Sequence, residues 1–240
     1  MQPTTHTLQT ADGPMDIYEI APERAPLGAV IVIQEAFGVN DHIKDVTGRF
    51  AAAGYHAVAP TMFHRAGGGT APYGDFNKVM PLFQGLSDDG ILIDVDAAVA
   101  HLRQAGFGPA RIGIVGFCFG GRVTFLTAVR RALGAAVGFY GGGLVTARFP
   151  IFPALVGEAA NLKTPWLGLF GDKDESIPVA DVEQLRQALA REAKVAHEIV
   201  RYGDAEHGFH CDVRPSYNPG AAKDAWQRTL AWLERHLAAA

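Results

Sequence analysis

The chain has 240 residues, 48% of them hydrophobic, a formal net charge of −4 and two cysteines, Cys118 and Cys211. That length supports a large core, and the slightly acidic balance without a basic run argues against a nucleic-acid partner. Two cysteines are too few for a disulfide framework and lack zinc-site spacing, while no apolar run reaches the about 20 residues that span a bilayer. The N-terminus carries no basic region followed by an apolar core, so no signal peptide is expected. A reducing compartment, the cytoplasm, is the expected setting.

Apolar runs alternate with segments of helical period, which predicts a mostly parallel sheet with helices on both faces. Residues 15–20 alternate like an edge strand after a turn at Asp12-Gly13. Residues 29–33 are a continuous apolar run, as expected of a strand buried on both faces. Residues 42–53 read as a helix ending at Gly54, and 56–59 as a short strand stopped by Pro60. Residues 61–90 contain Gly67-Gly68-Gly69 and several prolines, and are expected to form an irregular functional loop or partial lid. A helix follows over 91–105, then a strand over 111–115 and a helix over 119–133. Two core strands are predicted at 135–139 and 166–170. A one-faced helix at 179–192, a last strand at 196–201 and a closing helix at 222–237 complete a single domain over 1–240. The stripe Trp226, Leu230, Leu233 and Leu237 reads as core packing.

The most informative stretch is Ile112 to Arg122, where a strand runs into Gly116-Phe117-Cys118-Phe119-Gly120-Gly121. Gly-x-Cys-x-Gly between a strand and a helix matches the nucleophile elbow of α/β-hydrolases, with cysteine in the usual serine place. The turn is sharp and leaves no room for flanking side chains. It aims the Phe119 N–H, at a helix N-terminus, toward the site of developing negative charge. The bland reading is a tight turn around a buried, inert thiol.

A thiol attacks as its thiolate and needs a base or a positive neighbour. In this fold the partners follow in the order nucleophile, acid, histidine, at strand C-termini. The strand at 166–170 leads to Asp172 and Asp174, and the last strand leads to His207 and His210. His207 is the expected base and Asp174 the acid that orients it. His210 and Asp172 are the competitors, with surface and turn-forming roles as their simpler readings. No metal and no organic cofactor are expected.

Four segments in order resemble the dienelactone hydrolase (carboxymethylenebutenolidase) family. They are Gln34-Glu35-Ala36-Phe37-Gly38-Val39-Asn40, the Cys118 turn, Asp174 followed by Ile177-Pro178, and Glu206-His207-Gly208-Phe209. The resemblance spans nearly the whole chain. It implies an α/β-hydrolase fold, Asp174 rather than Asp172 as the acid, and Glu35 beside the thiol as a group that controls its proton. It also implies an oxyanion hole built from the backbone N–H groups of Ala36 and Phe119. A bland alternative for Glu35 is a salt bridge or a turn cap.

The family binds a substrate carboxylate with arginines, and the matching positions here are Cys211 and Phe76. Neither can fork a carboxylate. Arg65 or Arg122 could stand in for those arginines, but solvated charge is the simpler reading of both. The expected substrate is therefore a neutral ester or lactone in an apolar pocket that includes Phe37, Phe76, Tyr140 and Cys211. Three other expectations stay open: hydrolysis of the dienelactone itself, hydrolysis of an organophosphate triester, and a non-enzymatic role in binding or redox sensing through Cys118.

Overall fold

A computed structural model describes residues 1–238, so the last two residues of the expected 1–240 domain lie outside the described region. Eight strands form one sheet in the order β1-β2-β4-β3-β5-β6-β7-β8. They are β1 (Thr4–Thr10), β2 (Gly13–Ile20), β3 (Ala29–Ile33), β4 (His56–Pro60), β5 (Ile112–Phe117), β6 (Ala135–Phe139), β7 (Trp166–Gly171) and β8 (His197–Tyr202). The pairs β1–β2 and β2–β4 are antiparallel, and every other pair is parallel. The central strands β3, β5, β6 and β7 are buried at every residue, which is why they read as unbroken apolar runs.

Among the described residues six α-helices accompany the sheet: α1 (Asp41–Ala52), α2 (Phe76–Phe83), α3 (Asp88–Gln104), α4 (Phe119–Arg130), α5 (Val179–Glu192) and α6 (Pro219–His236). Helices α1 and α6 meet through the Phe50 and Trp226 rings, 4.6 Å apart. Asn40 caps α1 by accepting from the Ile43 N–H, and Ser87 caps α3 by accepting from the Gly90 N–H. Helix α6 starts three residues before its expected position because Asn218 caps it and Pro219 fills its first turn.

Two expectations need correction. Residues 15–20 do not form an edge: β2 is flanked on both sides, and β1 is the outer strand. Residues 61–90 are not irregular throughout. They contain α2, capped by Asp75, and the first turn of α3.

The strand order reverses at β3, which has β4 on one side and β5 on the other. Such a switch point leaves a crevice at the strand C-termini. Glu35 follows β3 and Cys118 follows β5, so the fold brings these two loops side by side. The bend at Cys118 is as tight as its sequence implies. A Cβ on Gly116 would lie 2.2 Å from the Gly120 carbonyl oxygen, and one on Gly120 would lie 2.5 Å from that of Ile33. Backbone would collide with side chain in both cases. A Gly116→Ala substitution is expected to cost more than about 2 kcal/mol of stability, read by urea denaturation. A parent-like midpoint would contradict this account of the bend.

Candidate active site

Cys118 sits between β5 and α4 with φ 56° and ψ −112°, a conformation that L residues rarely adopt. Its N–H donates to the Phe139 carbonyl at 3.0 Å, which fixes the bend against the neighbouring strand β6. The side chain is partly exposed and opens into a cavity. Strain held at a partly exposed nucleophile type is the signature of a functional position.

His207 lies in the loop after β8. Its Nδ1 is 2.6 Å from Oδ2 of Asp174, which is buried in the loop after β7. Cys118 and the same imidazole line one cavity. Burial opposes a charge on His207, but the Cys118 sulfur and the Asp174 carboxylate outweigh it and raise the imidazole to about 10. Burial likewise favours the neutral acid at Asp174. Hydrogen bonds from His207 and Ser176 overcome it and hold the carboxyl below its ordinary value.

Ser176 was not legible as a site residue. Its Oγ donates to Asp174 Oδ1 at 2.5 Å, its N–H donates to the same oxygen at 2.9 Å, and its Oγ stands 3.3 Å from His207 Nδ1. The signal that could have found it is the two-residue spacing, at which aspartate commonly takes the downstream backbone N–H.

The competitors are engaged elsewhere. Asp172 forms a two-point pair with Arg201 at 2.7 and 2.8 Å. His210 is 2% exposed and stacks on Phe117 at 5.3 Å. Burial, followed by the charges of His42 and Arg49, pushes its imidazole down to about 3, so it stays neutral. His210 is a core side chain and not the surface residue its sequence suggested.

Ala36, Cys118, Phe119 and His207 all line one cavity of about 230 Å³. Its apolar walls are Phe76, Val79, Met80, Phe83, Phe149 and Phe152, and Arg122 and Arg148 also line it. The Phe119 N–H is the first of α4 and so has no acceptor within the helix. Of the expected pocket residues, Phe76 lines this cavity and is 59% exposed. The other three stand behind the wall. Phe37 is buried against Tyr73, and Tyr140 is buried against His207 with its hydroxyl unpartnered. Cys211 is turned inward by a Gly208–Cys211 turn and donates to the Tyr73 hydroxyl at 3.4 Å.

Glu35 is fully buried. Its Oε1 accepts from Arg214 Nη1 at 3.4 Å, while Oε2 has no partner among the described residues. No hydrogen bond joins it to Cys118, so the ion pair foreseen as the bland alternative is present. Arg214 also lies over the Tyr73 ring at 5.4 Å. Neither Arg65 nor Arg122 is solvated charge. Arg65 pairs with Asp94 and Asp12. Arg122 is 3% exposed, donates to both oxygens of Asp88 and to the Pro153 carbonyl, and forms part of the cavity wall. A charge in a helix buried on all sides requires such a partner, and that was its available signal. Among the described residues, no group of three or more His, Cys, Asp or Glu is arranged to hold a metal ion. None of the described helices is long and apolar enough to cross a membrane.

Comparison with known proteins agrees with this frame. The family model described as "Dienelactone hydrolase family" matches residues 15–237. The chain belongs to the dienelactone hydrolase family. Among the relatives of this family member, the "Putative carboxymethylenebutenolidase" of Escherichia coli (strain K12) is 41% identical over 231 residues, covering 92% of this chain and 83% of the relative. The "Probable 2-oxo-3-(5-oxofuran-2-ylidene)propanoate lactonase" of Bradyrhizobium sp is 35% identical over 215 residues, covering 88% and 85%. A crystal structure named as a putative dienelactone hydrolase from Klebsiella pneumoniae superposes with a TM-score of 0.85 at 40% identity, covering 97% of this chain and 98% of that one. The fold is that of the α/β-hydrolases, and the chain is a hydrolase of this family.

Proposed function

We propose that the protein hydrolyses neutral carboxylic esters or lactones through a thioester on Cys118. The observation that carries this reading is the Asp174–His207 pair at 2.6 Å, with the partly exposed, strained Cys118 lining the same cavity as the imidazole. The largely apolar cavity wall supports a neutral substrate: of the two arginines that line it, Arg122 is buried and already matched by Asp88, and Arg148 is exposed to solvent. The lactonase name of the Bradyrhizobium relative supports a lactone among the substrates.

In the first step the Cys118 thiolate bonds to the carbonyl carbon and the carbonyl electron pair moves onto oxygen. The N–H groups of Ala36 and Phe119 hold that oxygen, each contributing about 3 kcal/mol or more in comparable sites. Collapse restores the carbonyl and breaks the bond to the leaving oxygen, which takes the proton from His207. His207, now neutral, accepts a proton from water as the water attacks the thioester. The carbon–sulfur bond breaks and the thiolate–imidazolium pair returns. Glu35 stands behind this exchange as a second carboxylate, paired with Arg214 through one oxygen while the other has no partner among the described residues. A free thiol is essential to the cycle, which suits a reducing compartment such as the cytoplasm; both cysteines are free.

The test compares matched ester pairs that differ only by a carboxylate on the acyl group, together with an aryl phosphotriester. The neutral carboxylic ester is expected to have a kcat/KM at least about tenfold above the other two. Preference for the carboxylate-bearing ester would restore the dienelactone as the substrate class, and preference for the phosphotriester would move the chemistry to phosphorus.

A further inference from the structure

A second cavity, of about 210 Å³, opens beside the first. Buried Phe170, Ile177, Val182 and Leu185 contribute to its lining, and Glu175 and Asp181 also border it. The reaction described above uses none of these six. Gly143, Arg148 and Ser176 line both cavities and so form the boundary between them. Two glycine residues, Gly142 and Gly143, keep this boundary free of bulk; a Cβ on Gly142 would already lie 3.0 Å from the Arg148 guanidinium.

Resting on the thioester reading, we infer that the second cavity receives the alcohol portion of the ester, an apolar or aromatic alcohol without negative charge. The acyl portion occupies the aromatic cavity. The assignment follows from where each end must point. The carbonyl oxygen faces the N–H groups of Ala36 and Phe119, which share their cavity with the aromatic wall. The leaving oxygen faces His207, and Ser176, 3.3 Å from that ring, is on the boundary leading to the second cavity. Two carboxylates, Glu175 and Asp181, stand against one guanidinium, Arg148, so the border carries a net negative charge that disfavours an anionic alcohol. A lactone without a substituent on its alcohol carbon leaves the cavity empty, so open-chain esters of bulky alcohols are the better substrates.

Two substitutions away from the reacting groups test this: Val182→Phe in the lining and Thr146→Trp among the exposed residues that line the same cavity. The surface substitution keeps the test in force if the buried one prevents folding. Methyl, n-butyl and 2-phenylethyl esters of one acid are compared, alongside methyl esters of acids of increasing length. In the parent, kcat/KM is expected to rise about tenfold from methyl to 2-phenylethyl ester. Both substitutions should remove that rise, leaving the methyl ester and the acyl series unchanged. No dependence on the alcohol, or an effect confined to the acyl series, overturns the assignment. Calorimetric binding of 2-phenylethanol to a Cys118→Ala protein checks the cavity without turnover. Binding that Thr146→Trp abolishes supports the alcohol site even if the thioester reading fails, and absence of binding sinks the site even if that reading holds.

Discussion

Replacing Cys118 by alanine is expected to slow hydrolysis of a p-nitrophenyl ester by at least about 1000-fold, because the covalent route disappears while substrate binding and the oxyanion N–H groups remain. The backbone at this position already has φ 56°, and alanine adopts it no less readily than cysteine, so the circular dichroism of the variant should match the parent. The chemical identity of the intermediate gives a sharper reading. Acid-quenched parent enzyme should gain the mass of the acyl group, and peptide mapping should find it on Cys118. The variant should carry none. Parent-level turnover by Cys118→Ala would place the chemistry on another group, and the buried position of Cys211 makes that residue a poor substitute. A burst of acylation without turnover in the parent would instead indicate a protein that is labelled but does not catalyse, the binding or redox role.

The parts of the molecule that were readable from sequence are those in which one physical demand dominates. The span Ala135–Phe139 of β6 was read to the residue, because a strand buried on both faces has no choice but apolar side chains. The Cys118 bend was readable because close backbone approach permits only glycine at 116 and 120. Strand β1, Thr-Thr-His-Thr-Leu-Gln-Thr, was not readable, since nearly all of it is exposed and polar residues occupy both faces. Its strand state comes from pairing with β2 along its whole length, from Thr4 opposite Glu19 to Thr10 opposite Gly13. Helix α2 was hidden by its own Pro81 and by the glycines before it.

Site residues divide the same way. Asp174, His207 and Cys118 each announce themselves by a local turn. Arg214 does not, because its partner Glu35 lies 179 positions away and only the folded sheet brings them together. Arg148 is equally silent in sequence, yet it lines both cavities. The pocket is the least legible part for this reason. It is lined by α2, by residues around 142–152 and by the helix after Cys118, and no single segment records that convergence.

The pH dependence is expected to differ between the two half-reactions, and Asp174→Asn should alter both. In the free enzyme His207 is held at about 10, chiefly against burial, by the Cys118 sulfur and by Asp174. It is therefore protonated through neutrality and able to protonate the leaving oxygen. Its proton is lost only as pH rises through about 10, so kcat/KM should stay level into the alkaline range and fall above that value. Acylation converts the sulfur into a neutral thioester. The largest influence raising the imidazole then vanishes while burial remains, so the same ring loses its proton more easily and can serve as the base for water. Deacylation should accordingly quicken with rising pH, at values below the kcat/KM limb. Stopped-flow release of the aryl alcohol and steady-state turnover separate the two. Asparagine at 174 retains the shape but removes the charge that fixes the Nδ1–H, and a loss of up to about 10⁴-fold in kcat is expected where a tautomer is lost in this way. A kcat/KM that instead rises with pH through the ordinary imidazole value of about 6.5 would show that no ion pair forms between His207 and Cys118. His207 would then have to remove the thiol proton in every cycle, and the acid and base roles assigned to it here would exchange order.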